Sequence, residues 1–279
     1  GIASRGLGDV YKRQILMGLT ATLNPFRFHP SYMEIAELSL EERVKIMNTS
    51  DFREKLLKEN AVSINPLVDE IVNSYGKMFR LGEPANYEPD PETSFDSLAN
   101  LSNMTAEEIA YDAMLEKEGR ALIYHPLFNY QTGDLSLVEK MLKHPYTISG
   151  LGDAGAHCGA ISDASFPTTL VQHWSRDRDR GDKLPLETVI KMQTSETASL
   201  LGINDRGVIE EGYKADINVI DYDGLTLHEP EIINDLPAGG RRLVQKASGY
   251  DYTIVSGEIA FIKGEATGKL NGRLIRNSQ

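Results

Sequence analysis

Apolar and polar positions alternate in two textures along this chain, and the change falls near Gly207. Before it, long helical periodicities are separated by short apolar runs. Ile15 to Leu23 is strand-like. Ser39-Leu40-Glu41-Glu42 forms a capping box that opens a helix to about Met47, and a second helix runs from about Asp51 to Glu59. Thr105-Ala106-Glu107-Glu108 opens another through Lys117, closed by Gly119. Ala121 to Tyr124 reads as a buried strand, Leu135 to Lys143 as a helix stopped by Pro145, and Tyr146 to Leu151 as the next strand. Strand, helix and strand at this spacing predict a βαβ unit, so the strands at 15–23, 121–124 and 146–151 are expected to be parallel neighbours. Phe166 to Arg178 and Leu186 to Gly202 follow as helices, the second broken near Thr194-Ser195. Between Asn65 and Asn103, Pro, Gly and acids interrupt every apolar patch, which reads as an irregular insertion over the scaffold.

After Gly207 the runs become short and β-branched: Ala215 to Ile220, Arg242 to Gln245, Tyr252 to Val255 and Glu258 to Ile262. Ser256-Gly257 marks a hairpin between the last two. A small antiparallel β-module therefore follows an α/β body, with 15–206 and 207–279 as the two units.

Composition narrows the class. The 279 residues are 41% hydrophobic, enough for a sizeable core, and the net charge of −12 argues against a nucleic-acid or anionic-membrane surface. An ordinary soluble cytoplasmic protein fits these values. The single cysteine, Cys158, excludes an intrachain disulfide and a Cys-rich zinc site. No apolar run approaches the roughly 20 residues that span a bilayer. Residues 1–14 resemble the in-frame translation of a sequencing adaptor and are read as a non-native leader. The strand-like run from Ile15 then has no upstream partner, which predicts a fragment whose amino-terminal part is missing.

Candidate chemistry concentrates in Tyr146 to His157, where a β-branched run ends in glycines and presents Asp153 and, four residues on, His157. A parallel sheet offers catalytic groups in this way at the carboxyl end of a strand. Asp153 is therefore either such a group or a cap on the next turn. His125 follows a strand and could face the same mouth, whereas His144, before Pro145, reads as a cap, and His173 with Trp174 as core or subunit contacts. No His-x-His or His-Glu-x-x-His pair is present. His157 and Cys158 are adjacent, so their side chains point apart and a nucleophilic pair is not expected.

Gly152-Asp153-Ala154-Gly155-Ala156-His157, Asp163 to Thr168, Thr194 to Ala198 with Leu201-Gly202, and the tail from Asp205 through Gly240-Arg241-Arg242 to Gly257 resemble the amidohydrolase superfamily. The resemblance is nearest to amidohydrolase family 3, the N-acyl-D-amino-acid deacylase branch, and covers Ile15 to Arg276. It implies the C-terminal part of a metal-dependent (β/α)8 TIM barrel beside a small antiparallel β-sandwich. It also implies Zn2+, with Asp153 touching the metal and taking a proton from the metal-bound water, the remaining ligands lying upstream. The implied substrate is an N-acylated amino acid or related amide. The alternatives are a cyclic amidohydrolase of the dihydroorotase or hydantoinase kind, or a non-catalytic structural fragment. His157 and His125 are candidates for substrate binding or for structural roles. Arg241-Arg242 could bind a carboxylate or form a structural ion pair, and Cys158 to Phe166 lacks the basic residue that characterised deacylases use for the substrate carboxylate.

Overall fold

The structure is a computed structural model that describes residues 14–150, 159, 160 and 164–275. Its first half packs helices against a small sheet. β1 (Gln14–Met17) leads into α1 (Pro30–Ile35), α2 (Leu40–Met47), α3 (Ser50–Leu57) and α4 (Pro66–Asn73). β2 (Phe79–Arg80), α5 (Phe95–Asn100), α6 (Ala106–Gly119) and β3 (Ile123–Pro126) follow. Both predicted capping boxes form. Ser39 accepts from the Glu42 N–H and Thr105 from the Glu108 N–H, while each glutamate reaches back to its cap. α6 ends in a kink, with Lys117 and Glu118 at φ 51° and 56°, and Lys117 is held there by Glu83 and Glu229.

Strand direction departs from expectation. β1 pairs with β3 antiparallel, Ile15 opposite His125, and β2 adds antiparallel on the other side of β3. Residues 147–150 form no strand, so the expected parallel trio is not present among the described residues. The physical reason lies in the connection. A single crossover helix would dictate parallel strands, but here most of the helical half separates β1 from β3 and leaves either direction open. All residues of β1 and β3 are buried, a pattern shared by both arrangements. The stretch 65–103 is also more ordered than expected, contributing α4, β2 and α5.

One sheet face (Ile15, Met17, Ile123) packs on Tyr32, Met47, Leu56 and Met114 of the helices. The other (Leu16, Phe79, Tyr124) packs on Tyr87, Leu227 and Leu243. A third cluster joins α7 (Ser136–Leu142), α8 (Phe166–Gln172), a π-helical turn at His173–Asp177 and α9 (Leu186–Gln193) around Val138, Leu170, Trp174 and Val189. α10 (Ser195–Leu200) follows the predicted break, where Thr194 leaves helical geometry at φ −122° and ψ −95°.

The remainder is β-rich: β4 (Ile217–Ile220), β5 (Thr226–Leu227), β6 (Glu231–Leu236), β7 (Gly240–Val244), β8 (Ala247–Ser248), β9 (Tyr250–Val255), β10 (Glu258–Ile262) and β11 (Glu265–Ala266). The order β11-β10-β9-β4 is antiparallel throughout, with Ser256 and Gly257 both at positive φ as a type I′ hairpin turn requires. No helix among the described residues is long and apolar enough to cross a membrane.

Candidate functional site

Asp153, His157 and Cys158 lie outside the described residues. The chain that leads to Asp153 is described to Gly150. Thr147 is tied to α7 by its hydroxyl on the Met141 carbonyl and also donates to the His144 carbonyl just past that helix (2.8 Å), and Ser149 Oγ donates to the Met192 carbonyl of α9 (3.1 Å). On the far side, the Ala160 carbonyl accepts from the Leu16 N–H (3.0 Å), so the chain returns against β1.

His125 sits near the carboxyl end of β3 with 2% of its surface exposed. Its Nε2 lies 2.9 Å from Ser74 Oγ, and Nδ1 has no hydrogen-bond partner. Burial pushes its pKa down to about 4, so the imidazole is neutral in ordinary buffers. His144 Nδ1 accepts from the Tyr146 N–H, a local cap. Arg242 makes a two-pronged contact with Asp235 (2.8 and 2.7 Å), the structural ion pair foreseen as one alternative. Among the described residues no three His, Cys, Asp or Glu side chains converge, and these residues therefore offer no ligand set for a zinc ion.

Ser149 and Gly150 open directly onto a cleft of about 870 Å³ between α8, α9, α10 and the strands β4 and β9. Its lining is mainly apolar, with Ser149, Gln193, Thr194, Thr197 and Asn218 as neutral polar members and Glu210, Lys214 and Asp216 as charged ones. This size suits a small molecule.

A second constellation escaped sequence reasoning. Glu88, 3% exposed, receives Arg178 through Nε (3.0 Å) and Nη2 (3.1 Å), His173 Nε2 (3.1 Å) and the Leu135 N–H (2.8 Å). Arg178, 1% exposed, also donates to Glu139 (2.6 Å) and the Asp182 carbonyl (2.9 Å), and its guanidinium lies 4.5 Å over Trp174. Burial alone would raise the Glu88 pKa. Hydrogen bonds from His173, Arg178 and Leu135 outweigh it and bring the carboxyl down to about 2. Trp174 is core, as expected, but His173 is a partner of Glu88. The alternating Arg176-Asp177-Arg178-Asp179-Arg180 run was the available signal, although nothing in it distinguishes the buried arginine from exposed neighbours.

The sequence matches the model of the amidohydrolase family over residues 19–261. Over 168 residues it is 40% identical to a 5-methylthioadenosine/S-adenosylhomocysteine deaminase of Halothermothrix orenii, covering 58% of this chain and 36% of that protein. The chain thus spans about a third of the length of the curated relative it matches. Among solved structures it is similar to a D-aminoacylase at 21% identity and TM-score 0.38, covering 67% of this chain and 36% of that one. A D-aminoacylase mutant in complex with copper chloride is similar at 18% identity and TM-score 0.39, covering 85% and 46%.

Proposed function

The chain belongs to the amidohydrolase family, and from that premise we propose that it is the C-terminal part of a zinc-dependent (β/α)8-barrel hydrolase, flanked by a β-sandwich module, that cleaves the C–N bond of an N-acylated amino acid or related amide. The observation that carries this reading is the family match over residues 19–261, a range that includes Asp153. Asp153 is assigned the general acid–base role. Its carboxylate takes a proton as water attacks the carbonyl carbon, and returns it to the nitrogen as the C–N bond breaks. That exchange leaves a carboxylate and an amine. Zinc, with Asp153 as one ligand, belongs to this assignment through the family alone, since the described residues supply no other ligands. His157, four residues after Asp153, and His125 are proposed to face the substrate. The burial of His125 and its bond to Ser74 fit a positioning part better than direct contact.

A second reading is favoured by the 40% identity to a deaminase: hydrolytic removal of an amino group from a heterocycle such as a purine. The same acid–base pairing serves it, because water again displaces nitrogen from a trigonal carbon. The full-length gene product assayed on N-acetyl-D-amino acids, hydantoin and 5-methylthioadenosine separates the readings. Release of free amino acid from the first supports deacylation. Ammonia from the third, with no turnover of the first, replaces it with deamination.

A further inference from the structure

The chain on either side of Asp153 is anchored among the described residues, and one of its anchors leads to the β-module. Ser149 holds the near side on the Met192 carbonyl (3.1 Å). On the far side, the Gly159 and Ala160 carbonyls accept from the Thr22 (3.2 Å) and Leu16 (3.0 Å) N–H groups, so the returning chain lies along the edge of β1 that β3 leaves free. Ser165 comes next. It occupies the N-cap position of α8 yet makes no side-chain cap, although a serine there ordinarily accepts from the first turn of its helix. Its hydroxyl donates to Gln245 Oε1 instead (2.6 Å).

Gln245 directly follows β7, and both ends of its half-buried amide are engaged. Nε2 donates to Tyr87 Oη (2.8 Å) and to the His228 carbonyl (2.8 Å), and because a carbonyl only accepts, the orientation of the amide is fixed. One side chain thus joins the stretch beside Glu88, the β-module and the entry to α8. Four residues earlier, Arg241 Nη1 reaches the Thr20 carbonyl (3.4 Å), in the same turn whose Thr22 N–H holds Gly159. Leu243, between them, is buried in one cluster with Leu16, Tyr87 and Tyr124.

We propose that the β6–β7 ribbon is a working part of the hydrolase, with Gln245 as a positioning residue that sets the Asp153 carboxylate by holding the far end of its segment through Ser165. This role presupposes Asp153 as the acid–base group. Such a group acts only within hydrogen-bond reach of the water it activates, and a displacement of about 1 Å is enough to slow it by up to about 100-fold. Gln245 itself touches no reacting atom.

Hydrogen exchange on the 279-residue chain reads the anchor without any reaction. The Leu16 and Thr22 amides are protected by the Ala160 and Gly159 carbonyls, so loosening the Ser165 end should release them. Gln245→Met keeps the side chain's length and removes the amide, and Ser165→Ala removes the hydroxyl from a position that caps nothing. Either is expected to speed exchange at Leu16 and Thr22 by at least about tenfold and to leave the α6 amides unchanged. Lys246→Met, at an exposed neighbour paired with Glu231, should change neither. Ser165→Ala carries the same test if Gln245→Met fails to fold.

The full-length gene product supplies the catalytic arm, on whichever of an N-acetyl-D-amino acid or 5-methylthioadenosine it turns over. Gln245→Met should lower kcat by about tenfold or more with KM within about twofold, and should lower it no further when added to Asp153→Asn. Unchanged exchange at Leu16 and Thr22, a rise spread evenly over the chain, or a loss of kcat that adds to that of Asp153→Asn each overturns the assignment. Unchanged exchange removes the positioning role and leaves the reading of Asp153 intact. Full activity in Asp153→Asn, with exchange responding as expected, leaves the anchor nothing catalytic to position, and both fall together.

Discussion

Two buried polar regions of the chain, one around Glu88 and Arg178 and one at the cleft beside Ser149, are built in opposite ways. Around Glu88 and Arg178, both carboxylate oxygens and three guanidinium nitrogens are paired, across elements about 90 residues apart in sequence. In the cleft, the Gln193 amide nitrogen has no partner. Satisfied charges of the first kind brace a fold, while an unsatisfied donor beside an open cavity is unfavourable until something enters. The difference separates scaffold from site where composition cannot, since both regions mix apolar walls with a few polar groups.

The brace should be the more sensitive to mutation. Arg178→Met leaves Glu88 buried with only His173 and a backbone N–H, and is expected to destabilise by about 3–5 kcal/mol, read as a lower urea midpoint. A loss under about 1 kcal/mol would show that the pair does not brace anything.

Acid should undo the brace in a defined window. The Glu88 pKa is depressed from 4.5 to about 2 by folding, so its contribution is complete above pH 4.5 and disappears as pH falls toward 2. The size is about 3 kcal/mol. His125 acts at higher pH. Its folded pKa, lowered from 6.5 to about 4, means the unfolded chain binds a proton first, so stability declines as pH drops from 6.5 to 4 and then levels off. Unfolding free energies of His125→Gln across this range should lose part of the upper slope, the remainder coming from His29, whose pKa burial also lowers, and keep the lower one. An upper slope unchanged by the substitution would assign it to His29 alone.

Caps and turns, decided within a few residues, form as the sequence predicts, whereas the strand expected at 146–151 does not form over 147–150 and strand direction follows no local signal. Ser39 with Glu42, Thr105 with Glu108, the break at Thr194 and the turn at Ser256-Gly257 are each decided within four residues, and each forms as expected. Strand direction in β1 and β3 depends on a connection of about a hundred residues, whose route the apolar pattern does not encode. Glu88 sits between Tyr87 and Pro89 in a stretch that looked irregular, and its partners come from Leu135, His173 and Arg178. Charge pairing over such distances leaves no periodicity to read. The Asp153 motif, contiguous glycines and an acid, lies outside the described residues, so its role rests on the sequence pattern alone.

The smallest effect on stability is expected at the other pole of the comparison. Gln193→Met should change the unfolding free energy by no more than about 0.5 kcal/mol, or stabilise, because no bond is lost. A loss above about 1 kcal/mol would mean that the amide is part of the scaffold after all.

Asp153→Asn in the full-length gene product tests the central assignment. It preserves shape and removes the basic oxygen, so kcat should fall by at least about 100-fold while the urea midpoint stays within experimental error. A variant that unfolds yet keeps its specific activity in the folded fraction would make Asp153 a turn cap and contradict its role in catalysis.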